Sequence, residues 1–364
     1  MRVLHVYKTY LPENFTGVAK VIHEIAEPLS FKGVHSDVLV TGEQESGEPI
    51  KIGHHYVHVA KRDLHIASTS FSLSIFAMYR KLSQSADVIH YHFPWPMMDV
   101  LDLTIRPDKP IVVTYHSDIV KQQRILPFYK PLMHAFLSRA SSIVATSQNY
   151  LESSPTLERF KNKVEVIPLG LSERKPVETE RVDMWRSRLG EGFFLFVGAN
   201  RYYKGLGFLL EAARKTNFPV VIAGFGFSDY EVQENIPPNV KVVGSVSEED
   251  KEALLDLCGT FVFPSHLRSE AFGLALLEAA RAGKPMISCE IGTGTSYINR
   301  DGETGFVITP ANSEALAEAM TKIYANHDLQ RNFGAAARRR YESHFHNSLS
   351  EAKYLKLYER LAKR

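Results

Sequence analysis

At 364 residues the chain is long for one average domain and well sized for two, and its 44% hydrophobic and 23% charged residues are those of an ordinary globular protein. The 43 lysines and arginines nearly balance the 41 acidic residues, for a net charge of +2, so composition shows no nucleic-acid footprint. The two cysteines, Cys258 and Cys289, lie in apolar surroundings, which excludes a cysteine metal cluster and fits a reducing compartment.

The first ten residues lack the long apolar core and small-residue cleavage site of a signal peptide and read as a strand. No run reaches the roughly 20 apolar residues that span a bilayer. The chain is therefore expected in the cytoplasm, with any membrane contact peripheral. Short β-branched runs then alternate with longer helical patterns. Residues 2–7, 36–41, 87–92, 110–116, 141–147 and 164–168 read as strands, with helices at 18–32, 72–85 and 126–139. A polar stretch from Ser172 to Asp183 reads as a linker. The alternation restarts with strands at 193–198, 219–224, 240–244, 260–264, 285–289 and 305–309, and helices at 206–215, 248–257, 274–282 and 313–324. This is the pattern of parallel sheets covered by helices on both faces. Residues 348–363 carry Leu349, Ala352, Leu355, Tyr358 and Leu361 at roughly helical spacing and need an apolar partner surface. The expected fold class is α/β: two Rossmann-like doubly wound domains, 1–172 and 173–345, facing each other across a cleft, with 346–364 a helix that crosses back to the first. Candidate local basic patches are the stretch with Lys121, Arg124 and Lys130, and the tail with Lys353, Lys356, Arg360, Lys363 and Arg364.

In such sheets ligands sit beyond the carboxyl ends of the strands, so residues that follow strands are the candidates. Phe263-Pro264 ends one strand, a loop carries Glu270, and a helix starts near Gly273 and carries Glu278. The unpaired amides at that helix start, Phe272-Gly273-Leu274, suit a phosphate, and flanking carboxylates suit hydroxyl groups. Read without a ligand, the same pair is a capping acid and a surface glutamate. After Val197-Gly198, Arg201 and Lys204 can reach a diphosphate and stabilise charge on it as it leaves; two solvated surface charges are the alternative. His116 follows a central strand of the first domain and could hydrogen-bond a sugar hydroxyl, with His90 and His92, which lie after another strand, as competitors. Gly17, between the first strand and first helix, permits close approach of a ligand or forms a simple tight turn. The loop Glu290 to Ser296, with Gly292 and Gly294, could contact sugar or phosphate, or be an ordinary loop. There is no Asp-x-Asp pair, no H-E-x-x-H and no P-loop, so neutralisation of a diphosphate falls to Arg201, Lys204 and helix N-termini without metal.

Glu270 and Glu278, with seven residues between them that include Phe272-Gly273, resemble the paired-glutamate motif of retaining GT-B glycosyltransferases of family 4. Thr16-Gly17-Val18, His116 in Thr114-Tyr115-His116, Lys204-Gly205 and Asp301-Gly302 through Phe306 match further motifs of that family in order, over nearly the whole chain. The resemblance implies that Glu270 holds hydroxyls of the donor sugar and Glu278 the ribose. It implies that Arg201 and Lys204, with the amides of Phe272, Gly273 and Leu274, bind the diphosphate, and that His116 contacts the sugar near the reacting centre. One departure stands: many members carry the arginine directly after the glycine, whereas Ala199 and Asn200 intervene here. The segments Arg201 to Gly205 and Gly292 to Tyr297 are most similar to bacterial polysaccharide and O-antigen mannosyltransferases. That likeness implies a hexosyltransferase using GDP-mannose, no cofactor or metal, and a lipid-linked glycan acceptor, working in the cytoplasm or peripherally at the inner face of the membrane. The alternatives are a UDP-sugar donor and a non-catalytic sugar-nucleotide-binding subunit. A dinucleotide oxidoreductase lacks its G-x-G-x-x-G fingerprint here, and an epimerase on the same fold is a further alternative.

Overall fold

The computed structural model describes residues 1–15, 17–66, 69–120, 126–224, 226 and 236–363. Lys121 and Arg124 of the first basic patch, and Thr16 beside Gly17, lie outside them. The chain divides into two compact units, Met1–Ser172 with Asn347–Arg364, and Glu173–His346.

The first unit contains β1 (Arg2–Val6), β2 (His35–Gly42), β3 (Ile50–Ile52), β4 (His55–Lys61), a small hairpin of β5 (Leu64–Ile66) and β6 (Thr69–Phe71), β7 (Val88–Phe93), β8 (Ile111–Tyr115), β9 (Ser142–Ala145) and β10 (Val164–Val166). The main sheet runs β10-β9-β8-β7-β1-β2-β4-β3, parallel except where β3 meets β4. The inner strands β7 and β8 are buried at every residue, as strands covered on both faces must be. The Val18–Ser30 helix turns Ala19, Ile22, Ala26 and Leu29 inward and packs Ile22 against Val38 and Val40. The helix Asn347–Ala362 belongs to this unit, but its inward face differs from the sequence expectation. Tyr354, Leu357, Tyr358 and Leu361 are buried, whereas Leu349 and Ala352 are exposed. The tyrosine hydroxyls decide the rotation: Tyr358 meets His90 Nδ1 at 2.6 Å and Tyr354 meets Thr114 Oγ1 at 3.0 Å.

The second unit contains β11 (Phe194–Val197), β12 (Val220–Ala223), β13 (Val240–Gly244), β14 (Thr260–Phe263), β15 (Met286–Cys289) and β16 (Gly305–Ile308), in the parallel order β13-β12-β11-β14-β15-β16. Phe194, Phe196, Leu209, Val220, Ile222, Val262, Ile287, Leu316 and Met320 form its core, each such side chain contributing about 1.5–3 kcal/mol on burial. The polar stretch read as a linker holds the start of a helix, Thr179–Leu189. Its one buried side chain is Trp185, whose indole N–H donates to Asp250 at 3.0 Å, so helical periodicity in the sequence is weak. The helix His327–His344 is also unforeseen: it is arginine-rich and buries Phe333, Gly334, Ala337 and Tyr341. Cys258 and Cys289 are buried and unbridged, and burial pushes their thiols up to about 11 and about 12. No helix of the described residues is long and apolar enough to cross a membrane.

Candidate functional site

The order of the second sheet reverses between β11 and β14, and at such a switch point the crevice beyond the carboxyl ends of the strands is open to a ligand. Arg201 and Lys204 leave β11 there, and Glu270 and Gly273 leave β14. Because these strands are hydrogen-bonded neighbours, Phe194 opposite Thr260 and Leu195 opposite Phe261, their loops meet. The His266 amide donates to the Tyr203 carbonyl at 2.9 Å, and the Tyr202 hydroxyl lies 3.1 Å from Ser269 Oγ. Gly205 has φ +72°, and a Cβ there would stand 2.0 Å from the Pro264 carbonyl oxygen. This close seating brings Lys204 Nζ to 2.5 Å from Glu270 Oε2 and 4.6 Å above the Phe263 ring. The pair is largely shielded from water, at 13% and 12% side-chain exposure, which strengthens its attraction over that of a surface pair. Ser265 Oγ donates to the same carboxylate oxygen at 3.3 Å. The Arg201 side chain, by contrast, is exposed.

Gly273 caps the Leu274–Arg281 helix from the left-handed region at φ +92°, so the residue type is set by backbone conformation as well as by ligand access. No side chain caps this helix. The Glu248–Leu257 helix shows the contrast, with Ser247 Oγ accepting from the Asp250 amide at 3.0 Å. Among the described residues nothing accepts from the amides of Phe272, Gly273 and Leu274, which leaves partial positive charge at the helix start. The loop through Gly292 and Gly294 braces this segment: the Gly294 amide donates to the Ala271 carbonyl at 2.9 Å, and Arg268 Nη1 donates to the Gly292 carbonyl at 3.0 Å. A Cβ on Gly294 would stand 2.6 Å from the buried Phe272 ring. Glu278 is no surface residue. It is 5% exposed and accepts from Lys251 Nζ at 2.8 Å, and the same ammonium meets Glu248 at 2.8 Å.

In the first unit Gly17 is the N-cap of the first helix at φ +55°, with open space where a Cβ would project. His116 is the first residue past β8 and is nearly buried. His90 and His92 do not follow a strand; they lie within β7, facing His116 and His5 of β1. Burial pushes His5 and His116 down to about 3, and His90 and His92 well below the usual histidine range, so all four rings are neutral near pH 7.

Residues 15–175 match the family model described as Glycosyltransferase Family 4, and residues 179–340 the model described as Glycosyl transferases group 1. The chain is 46% identical to the O-antigen chain mannosyltransferase C of Escherichia coli, over 99% of each protein. It belongs to the group 1, family 4 glycosyltransferases. This glycosyltransferase is also 47% identical to the D-rhamnosyltransferase WbpZ of Pseudomonas aeruginosa, over 95% of the chain and 92% of that protein. Its backbone is similar to that of sucrose-phosphate synthase from Thermosynechococcus elongatus at a TM-score of 0.80, with 19% identity and 99% and 98% of the two chains covered. The fold is that of the GT-B glycosyltransferases, built from two Rossmann-like α/β domains.

Two features of the glycosyltransferase were not read from its sequence. Lys251 and Glu278 are 27 residues apart on different helices, and no local pattern links them. His5, His90 and His92 each bring a ring nitrogen within 4.8 Å of the others, the one such metal-capable group found among the described residues. Both nitrogens of His90 are taken by Tyr358 and Thr114, and His5 Nδ1 meets His92 Nε2 at 3.2 Å, so of this trio only His5 Nε2 has no hydrogen-bond partner among the described residues. The signal, in hindsight, is three histidines at inward positions of two neighbouring strands.

Proposed function

We propose that this glycosyltransferase moves mannose from GDP-mannose, with retention of configuration, to a lipid-linked glycan in O-antigen synthesis. The observation that carries the reading of the donor site is the Lys204–Glu270 pair beside the uncapped start of the Leu274–Arg281 helix. A cation, three unpaired amides and a carboxylate at a sheet switch point are complementary to a sugar diphosphate. On this reading the arriving diphosphate takes Lys204 Nζ, aided by Arg201 and the amides of Phe272, Gly273 and Leu274, and releases Glu270 to accept from sugar hydroxyls. Glu278, held by Lys251, accepts from the ribose. Gly17 leaves room at the first helix for a substrate group, and His116 hydrogen-bonds a sugar hydroxyl. Charge that develops on the leaving diphosphate is met by these groups without a metal ion. The mannosyl donor and the lipid-linked acceptor rest on likeness to the E. coli O-antigen enzyme. Peripheral contact with the inner face of the membrane is supported by Leu64, Ile66, Phe71 and Leu73, exposed on and beside the β5–β6 hairpin.

One observation favours a second donor, a D-rhamnosyl nucleotide, which lacks the 6-hydroxyl of mannose: the relative at 47% identity is a D-rhamnosyltransferase. A thermal-shift panel of GDP-mannose, GDP-D-rhamnose, UDP-, ADP- and dTDP-sugars tests the reading. GDP-mannose at a hundred times its Kd is expected to stabilise by about 2.7 kcal/mol, unchanged by EDTA. Lys204→Ala is expected to lose about 10²–10³-fold in kcat with its fold intact. A shift with a UDP-sugar and none with GDP-mannose would overturn the donor; a shift that EDTA abolishes would overturn the metal-free site.

A further inference from the structure

Three buried histidines of the first unit form a hydrogen-bonded row. His5 Nδ1 lies 3.2 Å from His92 Nε2, and His92 Nδ1 lies 3.0 Å from His116 Nε2. The His92 ring lies edge to edge with both neighbours and nearly parallel to them, with centroids 5.5 Å from His5 and 5.3 Å from His116 and interplanar angles of 24° and 19°. The row lies across β1, β7 and β8, where the strand order of this sheet also reverses, and His5 stands opposite His90 in the ladder. His90 is tied off by Tyr358 and Thr114, so it packs on the row without joining it. Among the described residues no carboxylate hydrogen-bonds any of the three rings.

A neutral imidazole carries one N–H and one bare nitrogen. Three neutral rings carry three ring protons, and each of the two N···N contacts holds one. One proton remains, and it sits at one of two ends: His5 Nε2 or His116 Nδ1. His5 Nε2 is buried with no hydrogen-bond partner among the described residues. His116 Nδ1 makes no hydrogen bond among the described residues, on a ring that retains 7% exposure. Orphaned N–H groups are the polar groups a folded interior tolerates least, so the proton belongs at the His116 end. We infer that His5 and His92 are positioning residues that lock His116 in its Nδ1–H form, so that it presents a hydrogen-bond donor to an oxygen of the sugar. Burial keeps the rings uncharged, which keeps the count of protons fixed. The inference rests on the proposal that His116 meets a sugar hydroxyl, and it adds which nitrogen does so, in which tautomer, and what fixes it.

The test uses the full chain labelled with ¹⁵N-histidine. Two-bond ¹⁵N–¹H correlations should report His116, His92 and His5 all as Nδ1–H tautomers; Nε2–H on His116 would overturn the inference whatever the kinetics show. His92→Phe keeps an aromatic ring in the same place and removes both hydrogen bonds. It is expected to lower kcat about 10²-fold, with KM for the nucleotide sugar within about twofold, and to leave His116 as a tautomer mixture. His92→Asn places an amide N–H where Nδ1 stood, so it should restore the His116 Nδ1–H signal and kcat to within about tenfold of the parent. Equal losses in the Phe and Asn variants, at equal melting temperature, would mean a packing role only and would sink the idea. His116→Ala separates the two claims: full activity in that variant would remove the sugar contact while the tautomer assignment stood or fell on the spectra.

Discussion

Gly205 shows how one residue without a side chain can govern a charged pair. Its positive φ and its approach to the Pro264 carbonyl seat the loop after β11 on the loop after β14, and Lys204 reaches Glu270 through that seating. Gly205→Ala would place a methyl at an impossible 2.0 Å from a backbone oxygen. Backbone must shift, and we expect a loss of about 1–3 kcal/mol, read as a lower urea midpoint. Donor affinity should fall together with stability, because Lys204 moves with its neighbour. An alanine variant with an unchanged midpoint would mean that the loops are not packed as described. Lys204, Glu270 and Gly273 were all legible in the sequence, since each follows a strand and a strand end is a local feature. Their pairing was not: a loop of charged residues reads the same whether its charges meet each other or water.

At the level of elements, the Glu248–Leu257 and Leu274–Arg281 helices are joined by Lys251 and Glu278, both nearly buried. Removing one partner of such a pair strands the other charge, at about 3–5 kcal/mol, whereas replacing both with apolar groups is often neutral. Lys251→Met should therefore destabilise the second unit by that amount. Adding Glu278→Leu should recover most of the stability and none of the nucleotide-sugar affinity. If the double variant binds donor normally, Glu278 has no place at the ribose. The strands of both sheets were visible as β-branched runs except β3 and β4 at one edge of the first, and some ends were misread by one or two residues where a cap intervened. Ser147 is one case: it lies beyond β9 and caps the next helix by accepting from the Tyr150 amide. The Thr179–Leu189 and His327–His344 helices were hidden because each turns few apolar residues inward, and the long polar faces that remain look like linker and tail.

For the whole molecule, the four neutral histidines tie stability to acidity. In the unfolded chain each titrates near 6.5, while burial holds His5 and His116 at about 3 and His90 and His92 well below normal. Below pH 6.5 the unfolded state binds protons that the native state refuses, so stability is full above 6.5 and falls as pH drops towards 3. The loss is about 1.4 kcal/mol per histidine per pH unit, or on the order of 5 kcal/mol for the four between pH 7.5 and 5.5. Urea melts across that range should show it, and His92→Phe should flatten the slope by about one proton. A midpoint that does not move with pH would mean these rings are charged or open to water. His90, His92 and His116 stood out in the sequence beside neighbouring strands, but His5 comes from a strand far away in the chain and joins them only through sheet order.

The helix Asn347–Ala362 is the last described element of the chain, yet it belongs to the first unit, where Tyr354 and Tyr358 close over Thr114 and His90. A ribosome makes the polypeptide from its amino end. The first unit must therefore wait, with that histidine floor uncovered, while every residue of the second is synthesised. The second unit can finish folding while its elder neighbour is still open, so the order of translation and the order of maturation run in opposite directions.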